Sequence, residues 1–177
     1  MFIQTNERIY TKGVSMKIFI TGLPRCGKTT LIKELIKECK VSFSGFLSEE
    51  IRNDDRIGFK IEDVRTSEEG ILANMDFKDG PKIGKYFVNI KDIERIAIPS
   101  LEREANFYFI DEIGAMELKS KKFEKVLEAI LSSNKNIIAT LHRNYANKYK
   151  KYGELIWLTK ENWNEIFEKI KSRLNEN

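Results

Sequence analysis

The chain lacks the features that mark secreted and membrane-spanning proteins. It has only two cysteines, Cys26 and Cys39, among 177 residues. This excludes a disulfide scaffold and is typical of a reduced intracellular protein. No apolar run approaches the roughly 18 residues that a membrane-spanning helix needs, and the N-terminus shows no apolar segment followed by small residues of the kind that a signal peptide has. We therefore expect a cytoplasmic protein that is not bound to a membrane.

A strong excess of charge of one sign is also absent. The 31 basic and 27 acidic residues leave a net charge of +4 that is spread along the chain. Such a charge does not require a nucleic-acid partner, and an anionic small ligand such as a nucleotide would suit it equally well. Hydrophobic residues make up 41% of the chain, which argues against disorder, and the length suits one domain.

The order of predicted elements indicates the fold class. Residues 1–15 show neither helical nor strand periodicity, so we expect an N-terminal extension there, followed by one domain over residues 16–177. Within that domain strands and helices alternate, which predicts an α/β fold with a mostly parallel sheet flanked by helices. Residues 43–90 depart from this alternation. There Asn53, Asp54 and Asp55 mark a hairpin turn, so the region predicts added antiparallel strands.

Periodicity and capping signals also predict the helices. Apolar residues at helical spacing predict helices over residues 29–39 and 120–133, the second capped by Ser120. The segment 91–105 is partly helical, and Pro99 must break or restart it. Asn162 and Glu165 resemble a capping box that opens the last helix.

A complete phosphate-loop motif, G-x-x-x-x-G-K-[ST], lies between a predicted strand and a predicted helix, as the motif requires. Backbone N–H groups at a helix N-terminus can converge on phosphate oxygens, and glycine lets the backbone wrap closely around them. Lys28 would contact the β- and γ-phosphates, and the Thr29 hydroxyl suits Mg²⁺. The predicted nucleotide-binding residues are Gly22, Leu23, Pro24, Arg25, Cys26, Gly27, Lys28, Thr29 and Thr30.

A second motif, of the Walker B type, places two acidic residues directly after the apolar strand 106–110. Asp111 would support Mg²⁺ together with Thr29, and we expect Asp111 to act through a water molecule. Glu112 can polarise a water for in-line attack on the γ-phosphate, which favours hydrolysis over mere binding. We therefore predict that Lys28 and Glu112 are catalytic and that Thr29 and Asp111 support the metal ion.

Polar residues also follow the strand predicted over residues 136–141. Thr140 or His142 could sense the γ-phosphate, and Arg143 could stabilise charge in the transition state. The alternatives are a strand cap, a half-exposed histidine and an exposed arginine, and the sequence leaves them open.

Together these motifs resemble the thermophilic nucleoside-triphosphatase family, whose animal members are called cancer-related nucleoside-triphosphatase. The resemblance runs from Met16 to the last helix, and its most specific part is Ile110–Leu118. It implies a RecA-like core that hydrolyses ATP, GTP and other nucleoside triphosphates with Mg²⁺. It implies phosphate binding by Gly22–Thr30, metal support from Thr29 and Asp111, and water activation by Glu112.

The resemblance also makes three cations of the hairpin region candidates for nucleotide or partner contacts, although solvated strand charges are the alternative. These residues are Arg52, Arg56 and Lys85.

Three functions are compatible with the sequence. The first is a Mg²⁺-dependent nucleoside-triphosphatase of broad base tolerance, since the N-K-x-D motif that reads guanine is absent. The second is a phosphotransferase acting on a nucleoside, a nucleotide or an RNA end, with hydrolysis as an idling activity and the basic segment 143–151 as its lid. The third is a nucleotide-driven switch that binds RNA or protein, although nothing in the sequence requires such a partner.

Overall fold

Nine strands and six α-helical segments form within residues 14–176, the part of the chain that the computed structural model describes. The strands are β1 (Lys17–Gly22), β2 (Phe43–Asn53), β3 (Asp55–Asp63), β4 (Glu69–Asn74), β5 (Lys82–Ile83), β6 (Tyr86–Val88), β7 (Phe107–Ile113), β8 (Asn136–Leu141) and β9 (Glu154–Leu158). The helices are α1 (Lys28–Glu38), α2 (Ile90–Asp92), α3 (Ile98–Glu102), α4 (Lys121–Ser132), α5 (Ala146–Tyr149) and α6 (Trp163–Asn175). Residues 1–13 of the predicted extension lie outside the described residues, so the extension stays a prediction. No helix in the described part is both long enough and apolar enough to cross a membrane.

All nine described strands join one mixed sheet in the order β5-β6-β4-β3-β2-β7-β8-β1-β9. The five strands β2, β7, β8, β1 and β9 run parallel. Their apolar runs are continuous because helices cover both faces of this half of the sheet. The carboxyl ends of β1, β7 and β8 therefore lie at one edge, where ligands of open α/β sheets bind. The predicted α/β class is confirmed.

The remaining four strands extend the sheet in antiparallel fashion, as the sequence predicted for residues 43–90. Strands β2 and β3 form the expected hairpin, with Asp54 at the turn in the left-handed region (φ 57°). The parallel pairing of β2 with β7 ends at Phe46 and Ile110. From there β2 continues to Asn53, so the hairpin projects beyond the edge where β7 delivers its acidic residues.

Two apolar clusters pack on opposite faces of the sheet, because alternate strand residues point to opposite sides. Phe19 belongs to the cluster beneath α4, together with Tyr108 and Leu127. Ile18 and Ile20 belong to the cluster formed with α1 and α6. The sheet therefore anchors the loops after β1 and β7 rigidly from both sides.

One local prediction is confirmed and one needs correction. The α-helix before β7 restarts beside Pro99, as the sequence predicts. A π-helical turn over Ile93–Ala97 joins α2 to α3, and Pro99 lies in the first turn of α3, where its missing N–H is not needed. The capping box at the start of α6 is wrong, because the Asn162 side chain does not cap the helix. It accepts a hydrogen bond from the Thr159 N–H and donates one to the Trp157 carbonyl instead.

Candidate active site

The phosphate loop connects β1 to the first residue of α1. Gly27 adopts φ 96°, and its carbonyl accepts the first hydrogen bond of the helix, from the Leu31 N–H at 2.9 Å. The Lys28 ammonium turns back over the loop and donates to the carbonyls of Gly22 (3.2 Å) and Leu23 (2.9 Å). The loop is thus a concave run of backbone with a cation above it, which is the arrangement that a polyphosphate requires.

Close packing explains why glycine stands at the start of the loop. A methyl group on Gly22 would lie 2.4 Å from the Leu158 carbonyl oxygen and 2.9 Å from the Cys26 sulfur. Strand β9 therefore abuts the loop directly, and the buried Cys26 fills the space beside it. Among the other predicted loop residues, Leu23, Pro24, Arg25 and Thr30 are exposed.

No sequence pattern indicates that Trp163 contacts this loop. Its indole Nε1 donates a 3.0 Å hydrogen bond to the Gly27 carbonyl, across 136 positions of sequence. The indole also stacks on Phe167, with ring centroids 5.4 Å apart and planes 14° apart. Trp163 is the first residue of α6, and only the fold shows that this end of the helix lies against the loop.

Asp111 lies in β7, which continues through both acidic residues to Ile113 instead of ending before them. Asp111 is 2% exposed. Its Oδ1 accepts a 2.8 Å hydrogen bond from the Thr140 hydroxyl, whereas its buried Oδ2 has no hydrogen-bond partner within residues 14–176. Burial raises the pKa of Asp111 to about 6, although the hydroxyls of Thr140 and Thr29 oppose the shift.

The donors at this point fit Mg²⁺. A buried carboxylate oxygen without a partner is costly unless a cation or a water answers it. The Thr29 hydroxyl lies beside the same carboxylate, and both are hard oxygen ligands of the kind that Mg²⁺ prefers. Among the described residues no group of three or more acidic, histidine or cysteine side chains could hold a metal ion unaided. A bound ion would therefore depend on phosphate and water oxygens as well.

Glu112 follows at once and adopts φ 95°, a strained backbone conformation for a residue with a side chain. Such strain concentrates at functional sites, where the surrounding structure holds it. Burial raises the pKa of the Glu112 carboxyl, while the charges of Lys28 and Arg56 oppose the rise. The predicted water-activating residue is thus within the field of the phosphate-loop lysine.

A third carboxyl group, that of Glu117, lies in the same region. The sequence had included Glu117 only as part of a family motif. It is 3% exposed, and burial, followed by the charges of Glu112 and Asp111, raises its pKa well above the usual value. A methyl group on Gly114 would lie 3.1 Å from both Glu112 Oε1 and Glu117 Oε2, so the two carboxyl groups converge there.

The three polar residues at the end of β8 and just after it differ in burial and contacts. Thr140 is buried and donates to Asp111, so it orients the carboxylate that we predict to support the metal ion, whereas the sequence also suggests a γ-phosphate sensor at this position. His142 is half-buried, and burial lowers its pKa, as do the charges of Arg143 and Lys28. His142 therefore lies near the loop, while Arg143 is exposed.

The three cations of the hairpin region differ in their contacts. Arg52 pairs with Glu50, and the Lys85 ammonium lies over the Tyr86 ring. Arg56 contacts both Glu50 and Tyr86, and its charge also acts on Glu112.

The chain matches known proteins over most of its length. Residues 17–171 match the model of a family described as NTPase. The nucleoside-triphosphatase THEP1 of Methanocaldococcus jannaschii is 45% identical over 167 residues, which cover 90% of this chain and 97% of that protein. The corresponding protein of Thermotoga sp. (strain RQ2) is 44% identical over 171 residues, covering 92% and 97%. The crystal structure of THEP1 from the hyperthermophile Aquifex aeolicus superposes with a TM-score of 0.81 at 38% identity, covering 90% of this chain and 99% of that one.

Proposed function

Because the chain belongs to the NTPase family and is a nucleoside-triphosphatase, we propose that it hydrolyses ATP, GTP and other nucleoside triphosphates to the diphosphate and phosphate in a Mg²⁺-dependent reaction. The observation that carries the proposal is the unpartnered, buried Oδ2 of Asp111 beside Thr29, at the edge of the sheet where the phosphate loop ends. Glu112 follows Asp111 in β7 and can activate the attacking water, a group that a site built only to bind a nucleotide would not need.

The metal ion would be held by Thr29 directly and by Asp111, with phosphate oxygens completing its surroundings. When bound, Mg²⁺ neutralises charge on the β- and γ-phosphates. Thr140 holds the Asp111 carboxylate in place through Oδ1, which leaves Oδ2 free to face the ion or one of its waters.

The chain's own residues divide the remaining work. Lys28 and the loop N–H groups bind the phosphates and orient the γ-phosphorus toward Glu112. The attacking water oxygen bonds to that phosphorus, its proton passes to the Glu112 carboxylate, and the bond to the β–γ bridging oxygen breaks, so the diphosphate leaves with that electron pair. The raised pKa of Glu112 makes it a better proton acceptor than an exposed carboxylate.

A phosphotransferase would need a mobile lid, and the segment proposed for one is held in place. Lys148 pairs with Glu124 of α4 at 2.8 Å, and Tyr149 is fully buried. This packing favours water over a second substrate as the acceptor. The N-K-x-D motif that reads guanine is absent from the sequence, so we expect broad base tolerance.

Phosphate release from ATP, GTP, CTP and UTP, with Mg²⁺ and with EDTA, tests the proposal. We expect release from all four nucleotides with Mg²⁺ and none with EDTA. Nucleosides, nucleotides and RNA ends are then added as acceptors. Product that forms on an acceptor faster than free phosphate would contradict the hydrolase proposal.

Two variants test the assigned roles. Glu112→Gln should keep nucleotide affinity within about threefold and lose turnover, since it removes only the proton acceptor. Lys28→Ala should lose nucleotide binding itself. Hydrolysis by Glu112→Gln at the parent rate would show that another group activates the water.

A further inference from the structure

Arg56 stands apart from the other cations around the nucleotide site. Its guanidinium is fixed by two hydrogen bonds, from Nε to the Tyr86 hydroxyl and from Nη1 to a Glu50 oxygen, both at 2.9 Å. It also lies against two aromatic rings, 5.1 Å from the centroid of Phe59 and 5.6 Å from that of Tyr86. Such a framework removes most of the conformational freedom that a long side chain would otherwise lose on binding a ligand.

The hairpin that carries Arg56 overhangs the acidic end of β7. Beyond its last pairing with β7, strand β2 is fastened there by the Ser48 hydroxyl, which donates a 2.7 Å hydrogen bond to the Asp111 carbonyl. Strand β3 returns alongside, with Arg56 opposite Arg52. The hairpin is therefore held beside the part of β7 that carries Asp111 and Glu112.

The charges that act on Glu112 agree with this placement. The two cations whose fields act on Glu112 are Lys28, from the phosphate loop, and Arg56, from the hairpin. The terminal phosphate must lie between Lys28 and Glu112 if Glu112 is to activate the attacking water. Arg56, from the hairpin, is the second cation close enough to act on Glu112.

The guanidinium retains an open face. Its side chain is 43% exposed, and within residues 14–176 its third nitrogen, Nη2, donates no hydrogen bond. Arginine has five N–H donors in a planar fork that matches phosphate oxygens. Arg56 is therefore held by one side of the fork and free to donate with the other.

We propose that Arg56 contacts the terminal phosphate of the bound triphosphate and stabilises the charge on its oxygens during transfer to water. The inference rests on the proposed function and deepens it by adding a residue from the antiparallel extension to the active site. It also gives this extension a function, because its strands β4 and β6 supply the Tyr86 framework around the guanidinium.

Arg52 offers a matched control. It lies opposite Arg56 in the hairpin and donates to the same Glu50 carboxylate, but its charge is not among those acting on Glu112. Like the removal of Arg56, the removal of Arg52 therefore deprives Glu50 of one arginine partner in the hairpin. It leaves Arg56 itself in place.

The test compares Arg56→Ala, Arg56→Lys and Arg52→Ala by kcat at saturating ATP and by ADP affinity. An arginine that stabilises transferring phosphate contributes roughly 10³–10⁵ in rate where it is fully engaged, and we expect a loss of about 100-fold for this half-exposed one. Arg56→Lys should recover less than about a tenth of the rate, because an ammonium lacks the planar fork. ADP affinity and Arg52→Ala turnover should stay within about threefold of the parent.

Equal losses in Arg52→Ala and Arg56→Ala would overturn the proposal, as would an Arg56→Ala rate within about threefold of the parent. Should Arg56→Ala melt early, Tyr86→Phe removes the acceptor of Nε and a 3.3 Å hydrogen bond to the Arg56 carbonyl, and it keeps the ring and the guanidinium. It should lower kcat by about fivefold with unchanged ADP affinity, and an unchanged kcat would count against the proposal. If the parent transfers phosphate to an acceptor instead of water, the hydrolase proposal fails. The role of Arg56 is then tested by the rate at which Arg56→Ala transfers phosphate to that acceptor, and a rate within about threefold of the parent would contradict it.

Discussion

Two buried aspartates, Asp63 at the end of β3 and Asp111 within β7, differ in how their carboxyl oxygens are hydrogen-bonded. Each is 2% exposed. Asp63 accepts hydrogen bonds from the Arg65 and Thr66 N–H groups and a bidentate pair from the Arg103 guanidinium. Asp111 receives one bond on Oδ1 and none on Oδ2 within the described residues.

For this reason the pKa values of the two carboxyl groups are shifted in opposite directions. Burial acts to raise the pKa of Asp63, but Arg103 and the two N–H groups outweigh it and hold that pKa below the usual value. At Asp111 burial prevails and raises the pKa to about 6. A buried carboxylate whose needs are met inside the chain stabilises the fold. A buried carboxylate with an unpartnered oxygen is instead suited to bind a cation or a water molecule.

The largest expected effect in this comparison is on turnover. Asp111→Asn should lower kcat about 100-fold, as loss of an outer-shell metal partner does. Its melting temperature should equal or exceed that of the parent, because the substitution removes a buried charge that lacks a full set of partners. A variant that melts well below the parent would show that Asp111 is structural and would end the contrast.

Asp63→Asn should have the reverse profile. Replacing one partner of a largely buried ion pair leaves the Arg103 charge unanswered, so we expect the free energy of unfolding to fall by about 2–3 kcal/mol. Denaturant unfolding measures this loss, and kcat below the melting transition should stay within about twofold of the parent. Loss of kcat in a fully stable variant would contradict the assignment.

A smaller effect is expected at the one hydrogen bond that Asp111 receives from the β8 side chain. Thr140→Val keeps the side-chain shape and removes the donor to Oδ1, so the carboxylate is less well oriented. We expect kcat to fall by about tenfold and stability to change by no more than about 1 kcal/mol. Thr140→Ser, which restores a hydroxyl, should recover most of the rate, and failure to recover it would assign the effect to packing.

The smallest effect concerns acid stability. Because the folded pKa of Asp63 lies below its unfolded value, the ion pair stabilises the protein above the unfolded pKa of about 3.9, and this contribution is lost as pH falls through the folded pKa. Unfolding free energies measured from pH 7 down to pH 3 should decline less steeply in Asp63→Asn than in the parent. Parallel curves would show that Asp63 does not contribute to acid unfolding.

Local patterns predicted the parts of this site that are local in sequence. The phosphate loop and the acidic pair each lie within one strand and the turn after it, and the hairpin at Asp54 is determined by three adjacent residues. Both motifs follow parallel strands, and the carboxyl ends of parallel strands share one edge of the sheet. The structure accordingly has Lys28, Asp111 and Glu112 at that edge.

Contacts between distant segments could not be predicted in this way. The Trp163 indole meets Gly27 only because β9 pairs with β1 and carries α6 back to the loop. Glu117 is buried because a short turn after β7 folds it under Glu112, which no periodicity indicates. The apparent capping box at Asn162 failed because the Trp157 carbonyl and the Thr159 N–H compete for the same side chain.

The hydrogen bond between Trp163 and the loop has one more consequence. The chain has two tryptophans. Trp157 is half exposed to solvent, while Trp163 rests on the backbone that would wrap a triphosphate. Indole emission responds to nearby charge and to polarity, so in a Trp157→Phe background the protein carries a single tryptophan, which lies against the phosphate loop. Arrival and departure of the ligand can then be followed in real time without a label.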